Sequence, residues 1–230
     1  MNNISKKSFR ISGYYSFRSN IFVTNVSYRV RKKIYELFVE QFPDAKKIAD
    51  VGVAAEEISK EANVLESLYP YKSRITAIGI EDAGFLEKKY PGMKFVEVDP
   101  SKGLPFSDNY FDVVYCHAVI EHIVDKEQRN FFLKEIVRIG KCTFITTPNR
   151  YFPIEHHTGI PLLHIVFPKL FYFLLDQKLL NKFYSSSNLS LLSEKELKEL
   201  ARGIGYHYRI FRVRFLFFVS NLVLIIYKDR

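Results

Sequence analysis

Residues 104–123 read LPFSDNYFDVVYCHAVIEHI, and their centre, Phe111–Cys116, is apolar at nearly every position. A strand that helices cover on both faces is apolar throughout, whereas a strand with one wet face alternates. The next segment, 126–139, has apolar residues at helical spacing. This stretch therefore predicts a buried strand followed by a helix, which is the repeating unit of an α/β fold.

The same alternation extends in both directions along the chain. Short apolar runs predict further strands at 47–52, 75–80, 94–98 and 142–147. Helical spacing predicts helices at 26–42, 63–68 and 83–89. Strands that alternate with helices favour a mainly parallel sheet with right-handed crossovers.

The chain ends differently. Ser193, with Glu196 three residues later, forms a capping box that begins a helix ending at Gly205. Two consecutive strands, about 207–217 and 222–228, predict an antiparallel hairpin with its turn near Ser220-Asn221. We predict an α/β, Rossmann-like, doubly wound and mainly parallel seven-stranded sheet with this antiparallel C-terminal hairpin at its edge.

Charge is unevenly distributed along the 230 residues, whose net charge is +9. Residues 1–35 contain eight lysines or arginines and no acidic residue. We predict a basic N-terminal extension and helix over 1–44 and one domain over 45–230, with a helical insert at about 150–190. The basic ends could meet phosphate, anionic lipid or nucleic acid, or could be solvated arms without a partner.

The composition excludes several classes of protein. Two cysteines, Cys116 and Cys142, are too few for a disulfide framework, and no group of His and Cys has metal-ligand spacing, so we predict no metal site. No apolar run follows the first residues, and 215–227 is too short to span a bilayer. We therefore expect a cytoplasmic protein with reduced thiols.

Polar residues follow each predicted strand, where an open α/β sheet binds its ligands. Gly52 lies just after the first strand, Glu81 and Asp82 after the second, and Asp99 after the third. The later tips carry histidines and a Thr-Pro-Asn segment: His117, Ala118, Glu121, His122 and 146–149. A carboxylate after the second strand can accept both hydroxyls of a ribose, and Asp99 could accept from an adenine amino group.

Each of these residues also has a purely structural interpretation. Strand-to-helix turns often need a glycine, and acids near a helix N-terminus are favoured by the helix dipole. Asp99-Pro100 is a common turn opener, and His122 could simply end a helix. The order of glycine, acid, acid and histidine at successive strand tips favours ligand binding.

The run 104–115 followed by Ala118–Ile123 resembles the central signature of class I S-adenosylmethionine-dependent methyltransferases, whose pattern is LPF…D..FD.V….V.EH. The resemblance covers about residues 45–150. A narrower resemblance, to a type 11-like bacterial subgroup found among genes for cell-surface polysaccharide synthesis, rests on segments 68–71, 74–77, 85–87 and 146–153. It implies a small-molecule or glycan acceptor, which could be lipid-linked.

The resemblance implies S-adenosylmethionine as cofactor, with S-adenosylhomocysteine as product. It places the loop residues Asp50, Gly52, Val53 and Ala54 along the methionine part. Glu81, with Asp82 as second choice, would bind the ribose. Val98 and Asp99 would meet the adenine, and His117 and Ala118 would line the floor near the sulfonium.

One departure stands out, because the family loop usually carries three alternating glycines. Here Ala54 and Glu56 stand in two of those places. A relative that kept the fold and lost the cofactor is therefore one alternative. An RNA or DNA methyltransferase is another, motivated by the basic N-terminal arm.

Methyl transfer from a sulfonium needs alignment, and it needs a base only when the acceptor must lose a proton. The histidines His117, His122 and His156 are candidates for that base, and His157 lies beside the last of them. The apolar and basic segment 159–183 could form a lid, an ordinary helical subdomain, or a peripheral contact with the inner face of a membrane.

Overall fold

The computed structural model describes residues 21–56, 60–182 and 184–228. It contains seven strands: β1 (Ile48–Val51), β2 (Ile75–Gly79), β3 (Lys94–Glu97), β4 (Phe111–His117), β5 (Gly140–Pro148), β6 (His207–Phe215) and β7 (Phe218–Tyr227). They form one sheet in the order β3-β2-β1-β4-β5-β7-β6. Strands β1 to β5 are parallel, and β7 is antiparallel to β5 and β6. The predicted fold class is confirmed.

The described helices are α1 (Ile21–Gln41), α2 (Val64–Leu68), α3 (Phe85–Lys89), α4 (Lys126–Ile139), α5 (Leu163–Val166), α6 (Pro168–Asp176) and α7 (Glu194–Ile204). Helix α4 begins where the side chain of Asp125 accepts a hydrogen bond from the amide of Gln128. The predicted capping box of α7 is present, and Gly205 ends that helix at a φ of 84°.

Two apolar cores cover the two faces of the sheet. In β4, Val114 and Cys116 belong to the core that contains α4 and α7, whereas Val113 and Tyr115 belong to the core that contains α1 and α3. Successive residues of a strand point to opposite faces, so both sides of β4 are buried. This arrangement explains why the strand is apolar at nearly every position.

Helix α1 packs directly on the sheet. Its Val30, Ile34 and Phe38 are buried. The Phe38 ring lies edge-on to Tyr115 and Phe144, with ring centroids 5.1 and 5.4 Å away. The described part of the basic N-terminal segment thus forms a helix on the sheet, and the predictions for residues 1–20 lie outside the described residues.

The turn of the C-terminal hairpin is not where the sequence predicted it. Strands β6 and β7 are joined by Leu216 and Phe217, and Leu216 has a φ of 53°. Ser220 and Asn221 are buried within β7, where the Ser220 hydroxyl donates to the carbonyl of Val213 at 3.1 Å. The prediction was wrong because Ser-Asn is a common turn signal, whereas this turn carries two exposed apolar residues.

Between β5 and α7, the chain forms a helical segment with a small core of its own, which contains Phe171, Leu175 and Tyr184. The guanidinium of Arg150 joins this segment to α7: it donates to the carbonyl of Leu191 and pairs with Glu196 at 2.8 Å. No helix among the described residues is long and apolar enough to cross a bilayer.

Candidate functional site

A cavity of about 230 Å³ opens at the carboxyl ends of the parallel strands, and a second cleft of about 20 Å³ adjoins it. Only the larger space is of a size to take a nucleoside-like ligand. Its lining includes most of the predicted residues: Asp50, Gly52, Val53, Ala54, Glu81, Val98, His117, Ala118 and His122. His117 and Ala118 line the small cleft as well, so they lie between the two spaces.

Gly52 begins the loop after β1 with a φ of 99°, a conformation that side chains rarely adopt. Its amide donates to the carbonyl of Ile78 at 2.8 Å. In place of further glycines, Asn63 holds the loop: its side chain accepts from the amide of Ala54 at 2.8 Å and donates to the Ala54 carbonyl. Glu56 is exposed at the cavity rim. Residues 52–56 of this loop thus line the cavity without the further glycines that are usual there.

Asp50 lies at the end of β1 beside two charged side chains from other elements. Burial raises the pKa of Asp50 well above its ordinary value, and the negative charge of the nearby Glu66 carboxyl raises the pKa further. Arg31 of α1 lines the same end of the cavity, and its guanidinium donates to the carbonyl of Glu61 at 2.7 Å.

The two candidate ribose acids occupy different places. Glu81 lines the cavity, and no hydrogen bond or ion pair ties its carboxylate to another described residue. Asp82 is exposed and accepts from the amide of Gly84 at 2.8 Å, so it shapes the turn before α3. The structure therefore brings Glu81, and not Asp82, to the cavity.

Val98 and Asp99, at the tip of β3, also lie in different surroundings. Val98 lines the cavity, together with Leu104 and Phe132. Asp99 does not line it: its side chain accepts from the amide and the hydroxyl of Ser101, at 3.1 and 2.7 Å. The turn-forming interpretation of Asp99-Pro100 describes what this side chain does in the structure.

His117 ends β4 at the wall between the two spaces. Its Nδ1 lies 2.6 Å from the hydroxyl of Thr146, and its ring stacks on Tyr115. Burial lowers the pKa of His117 well below its ordinary value, and the charges of Arg31 and His156 lower it further. The ring is therefore neutral at physiological pH. Ala118 follows with a φ of 55°, which turns the chain sharply out of the strand.

Comparisons with known proteins agree with this geometry. Residues 50–142 match the family model described as a methyltransferase domain. The matched part runs from β1 into β5 and supplies most of the cavity wall. The class I methyltransferase interpretation is thus supported, and the narrower polysaccharide-associated subgroup stays a prediction.

Solved structures show the same fold at low sequence identity. A Burkholderia thailandensis 1,6-didemethyltoxoflavin-N1-methyltransferase, solved with S-adenosylhomocysteine, is 14% identical, with a TM-score of 0.62 over 98% of this chain and 87% of that one. The methyltransferase domain of bacterial CtHen1 is 16% identical, with a TM-score of 0.58 over 86% of this chain and 99% of that one. A methyltransferase from Thermotoga maritima, named as S-adenosylmethionine-dependent, is 15% identical, with a TM-score of 0.58 over 91% and 93%. A search of curated proteins finds no match.

Three further histidines, His122, His156 and His157, lie near His117. His122 lines the large cavity, and His156 and His157 line the small cleft with Glu121. Burial lowers the pKa of His122 to about 3, with a further contribution from His157. The His156 ring stacks on Phe152 at a centroid distance of 5.1 Å. The three histidines predicted as candidate bases therefore lie around one region, although not in one cavity.

Sequence reasoning missed several residues of the cavity. Arg31 and Asn63 come from elements outside the strand tips, so the rule that singled out the tips could not find them. Glu135 is a third such residue. Its carboxylate accepts from the amide of Leu104 and pairs with Arg138, both at 2.8 Å.

Arg138 of α4 contacts three residues of the segment 104–108. Its guanidinium donates to the carbonyls of Leu104 and Phe106, at 2.9 and 2.7 Å, and pairs with Asp108 at 3.0 Å. The signature segment is thereby fixed as one wall of the cavity.

Proposed function

We propose that this protein is an S-adenosylmethionine-dependent methyltransferase that transfers a methyl group to a hydroxyl of a small molecule or glycan. The observation that carries the proposal is the convergence of Asp50, Glu81, Val98 and His117, from the ends of four adjacent strands, on one cavity. A parallel sheet binds its ligand at this edge. The matched methyltransferase domain covers the same strands.

The chemistry of the cavity wall fits the three parts of this cofactor. Polar groups, the Asp50 carboxyl and the Arg31 guanidinium, lie at the end that would take the amino and carboxylate groups of methionine. Glu81 supplies a carboxylate without another partner among the described residues, which suits two ribose hydroxyls. Apolar Val98, Leu104 and Phe132 would pack against the adenine. The cofactor supplies a methyl group already activated on a sulfonium.

His117 is the residue best placed to remove a proton from the acceptor. It lines both the cavity and the adjoining cleft. In the tautomer with hydrogen on Nδ1, the ring donates to Thr146 Oγ1, and Nε2 can accept a proton. A neutral imidazole has this capacity, and the lowered pKa of His117 keeps the ring neutral. A base is needed for hydroxyl acceptors, and this supports methylation at oxygen.

The helical segment after β5 supports an acceptor with a lipid portion. Leu170 and Phe173 are 45% and 58% exposed and lie three residues apart on α6, so they form an apolar ridge on that helix, and Val166, 57% exposed, ends the preceding helix α5. Exposed apolar surface of this kind marks contact sites, including contacts with membranes. We propose that this ridge rests on the membrane that holds a lipid-linked glycan, with Lys169 beside it facing anionic headgroups.

Calorimetric titration of the purified protein with S-adenosylhomocysteine tests the cofactor. We expect one site, and Glu81→Ala should weaken it while Asp82→Asn, which alters the neighbouring acid outside the cavity, should not. No binding at millimolar concentration would favour a fold that has lost its cofactor and would end the proposal.

A second experiment tests the acceptor and the base. Labelled S-adenosylmethionine is incubated with nucleotide-linked sugars and lipid-linked oligosaccharides, and methyl transfer is located by NMR. His117→Gln should lower kcat about 10²- to 10⁴-fold, a much larger change than any change in the affinity for S-adenosylhomocysteine. Sedimentation with anionic vesicles should fall when Leu170 and Phe173 are both changed to serine. Methylation at nitrogen, or an unaffected kcat, would contradict this assignment.

A further inference from the structure

Three side chains with metal-binding atoms meet beside the proposed acceptor site. Glu121 and His122 lie in the turn after β4, and His157 lies in the segment after β5. One ligand atom from each lies within 4.8 Å of the other two. Glu121 and His157 are buried, and His122 is half-buried. The sequence predicted no metal site because these residues come from two separate segments that only the fold brings together.

Both imidazoles are held in one orientation by hydrogen bonds at Nδ1. In His157, Nδ1 lies 2.6 Å from a carboxylate oxygen of Glu155, and in His122, Nδ1 lies 3.2 Å from the carbonyl oxygen of Asn188. A backbone carbonyl and an ionised carboxylate can only accept a hydrogen bond. Nδ1 therefore carries the hydrogen in both rings. Nε2 is then the atom of each ring that can bind a metal.

The Glu155 carboxylate is itself firmly fixed. It accepts from the amide of His157 and from the amide and hydroxyl of Thr158. Metal-bound histidines in proteins characteristically donate their second N–H to such a carboxylate or to a backbone carbonyl. The surroundings of His122 and His157 therefore have the arrangement that orients histidine ligands.

Glu121 supplies the third ligand. Its Oε2 accepts from the hydroxyl of Thr147 at 3.0 Å, whereas its Oε1 is buried and has no hydrogen-bond partner among the described residues. The Glu121 side chain is fully buried. Leaving a carboxylate oxygen buried without a partner is costly, and a bound cation would remove this cost.

We propose that Glu121, His122 and His157 bind a divalent transition-metal ion through Oε1 and the two Nε2 atoms. Two imidazole nitrogens and one carboxylate suit Zn²⁺, Fe²⁺, Co²⁺ or Mn²⁺, whereas Mg²⁺ and Ca²⁺ prefer sites built from oxygen alone. Three protein ligands leave a coordination position for water or substrate.

That open position would face the acceptor. His122 lines the large cavity, and Glu121 and His157 line the adjoining cleft, which His117 separates from it. An ion held here would bind an acceptor oxygen next to His117 and lower the pKa of its hydroxyl. This use of the ion rests on the proposed function, whereas the binding of the ion does not.

Metal binding by the whole 230-residue chain is the decisive measurement. The protein is purified without metal-affinity resin, stripped with a chelator and titrated with Zn²⁺ by calorimetry and with Co²⁺ by visible absorption. We expect about one equivalent of either metal and a higher Tm with metal than without. Wild-type protein that binds neither metal, or whose Tm is unchanged by chelation, would overturn the proposal.

Variants separate this site from adventitious binding. Glu121→Gln and His157→Ala should abolish Co²⁺ binding, and Glu155→Gln, which alters the group that orients His157 and leaves all three ligands in place, should weaken it about 10- to 100-fold. His207→Ala, which alters an exposed histidine of β6, should bind as wild type does. Binding that survives both Glu121→Gln and His157→Ala would also overturn the proposal.

S-adenosylhomocysteine is then titrated into the stripped protein. If that titration fails while the metal binds, the proposed function fails and the metal site stands. If S-adenosylhomocysteine binds and neither metal does, the metal site fails and the proposed function stands. The Tm and circular dichroism of each variant show whether it has folded.

Discussion

Gly52 and Val119 are in such close contact that a Cβ atom added to Gly52 would lie 2.2 Å from Cγ2 of Val119. This contact joins the loop after β1 to the segment after β4, the two walls between which a ligand of the cavity would lie. The glycine is therefore needed for the spacing of the walls as well as for its φ of 99°.

We expect Gly52→Ala to destabilise the protein by about 1–3 kcal/mol, because both the backbone conformation and the contact become strained. Affinity for S-adenosylhomocysteine should fall at the same time. Adding Val119→Ala should restore part of the stability, since it relieves the contact but not the backbone strain. Urea unfolding of the single and double variants measures both contributions.

Gly203 of α7 provides the matched control. A Cβ there would meet nothing within 4 Å, so Gly203→Ala should leave stability unchanged or raise it by up to about 1 kcal/mol. Equal losses at Gly52 and Gly203 would contradict the role given to the Val119 contact.

Glu81 and its neighbour Asp82 should respond differently to the loss of charge. Only Glu81 lines the cavity, so Glu81→Gln should weaken S-adenosylhomocysteine binding about 10- to 100-fold, the worth of a hydrogen bond to a charged group. Asp82→Asn keeps an oxygen that can accept from the Gly84 amide and should bind within about twofold of wild type. Calorimetry of the two variants decides which acid binds the ribose.

The sequence predicted the sheet well because buried parallel strands are almost purely apolar, as β4 is. Its failure at the hairpin turn has a tertiary cause. Ser220-Asn221 resembles a turn, but both side chains are buried in β7, and the antiparallel pairing of that strand with β5 and β6 determines where the turn falls. Short-range turn preferences yield to such tertiary pairing.

In the site, too, some residues could be predicted from the sequence and others could not. Residues at the strand tips, such as Glu81 and His117, could be predicted because the topology of a parallel sheet brings the tips together. Arg31 could not, because its position depends on how α1 packs, and it counted in the sequence only as one more charge of a basic segment. Glu121 and His157 were likewise unpredictable as a pair, because their proximity depends on the course of the segment after β5.

The packing of α1 gives a third prediction. Phe38 is fully buried against Tyr115 and Phe144, so Phe38→Ala should cost about 3–5 kcal/mol of unfolding free energy. Phe173→Ala removes a ring that is 58% exposed and should change stability by less than about 0.5 kcal/mol. Similar values for the two variants in urea unfolding would mean that α1 is not part of the cooperative unit.

The Glu135–Arg138 pair should make stability depend on pH in the acid range. The hydrogen bond from Arg138 lowers the pKa of Glu135 below its ordinary value of 4.5, so the ionised carboxylate stabilises the folded state above that pH. As pH falls below 4.5 and through the lowered pKa, the folded protein must take up a proton at Glu135, and this stabilisation is lost.

Glu135→Gln removes the charge at every pH. At pH 7 we expect it to lower the unfolding free energy by about 1–3 kcal/mol, because Arg138 and the Leu104 amide lose a charged acceptor. The difference from wild type should stay constant down to about pH 5 and shrink below pH 4.5 as wild type loses the same charge. Urea unfolding at a series of pH values measures this difference. A gap that widened towards acid pH would show that the carboxylate of Glu135 has a raised pKa in the folded state and that the pair with Arg138 does not hold the wall at Leu104.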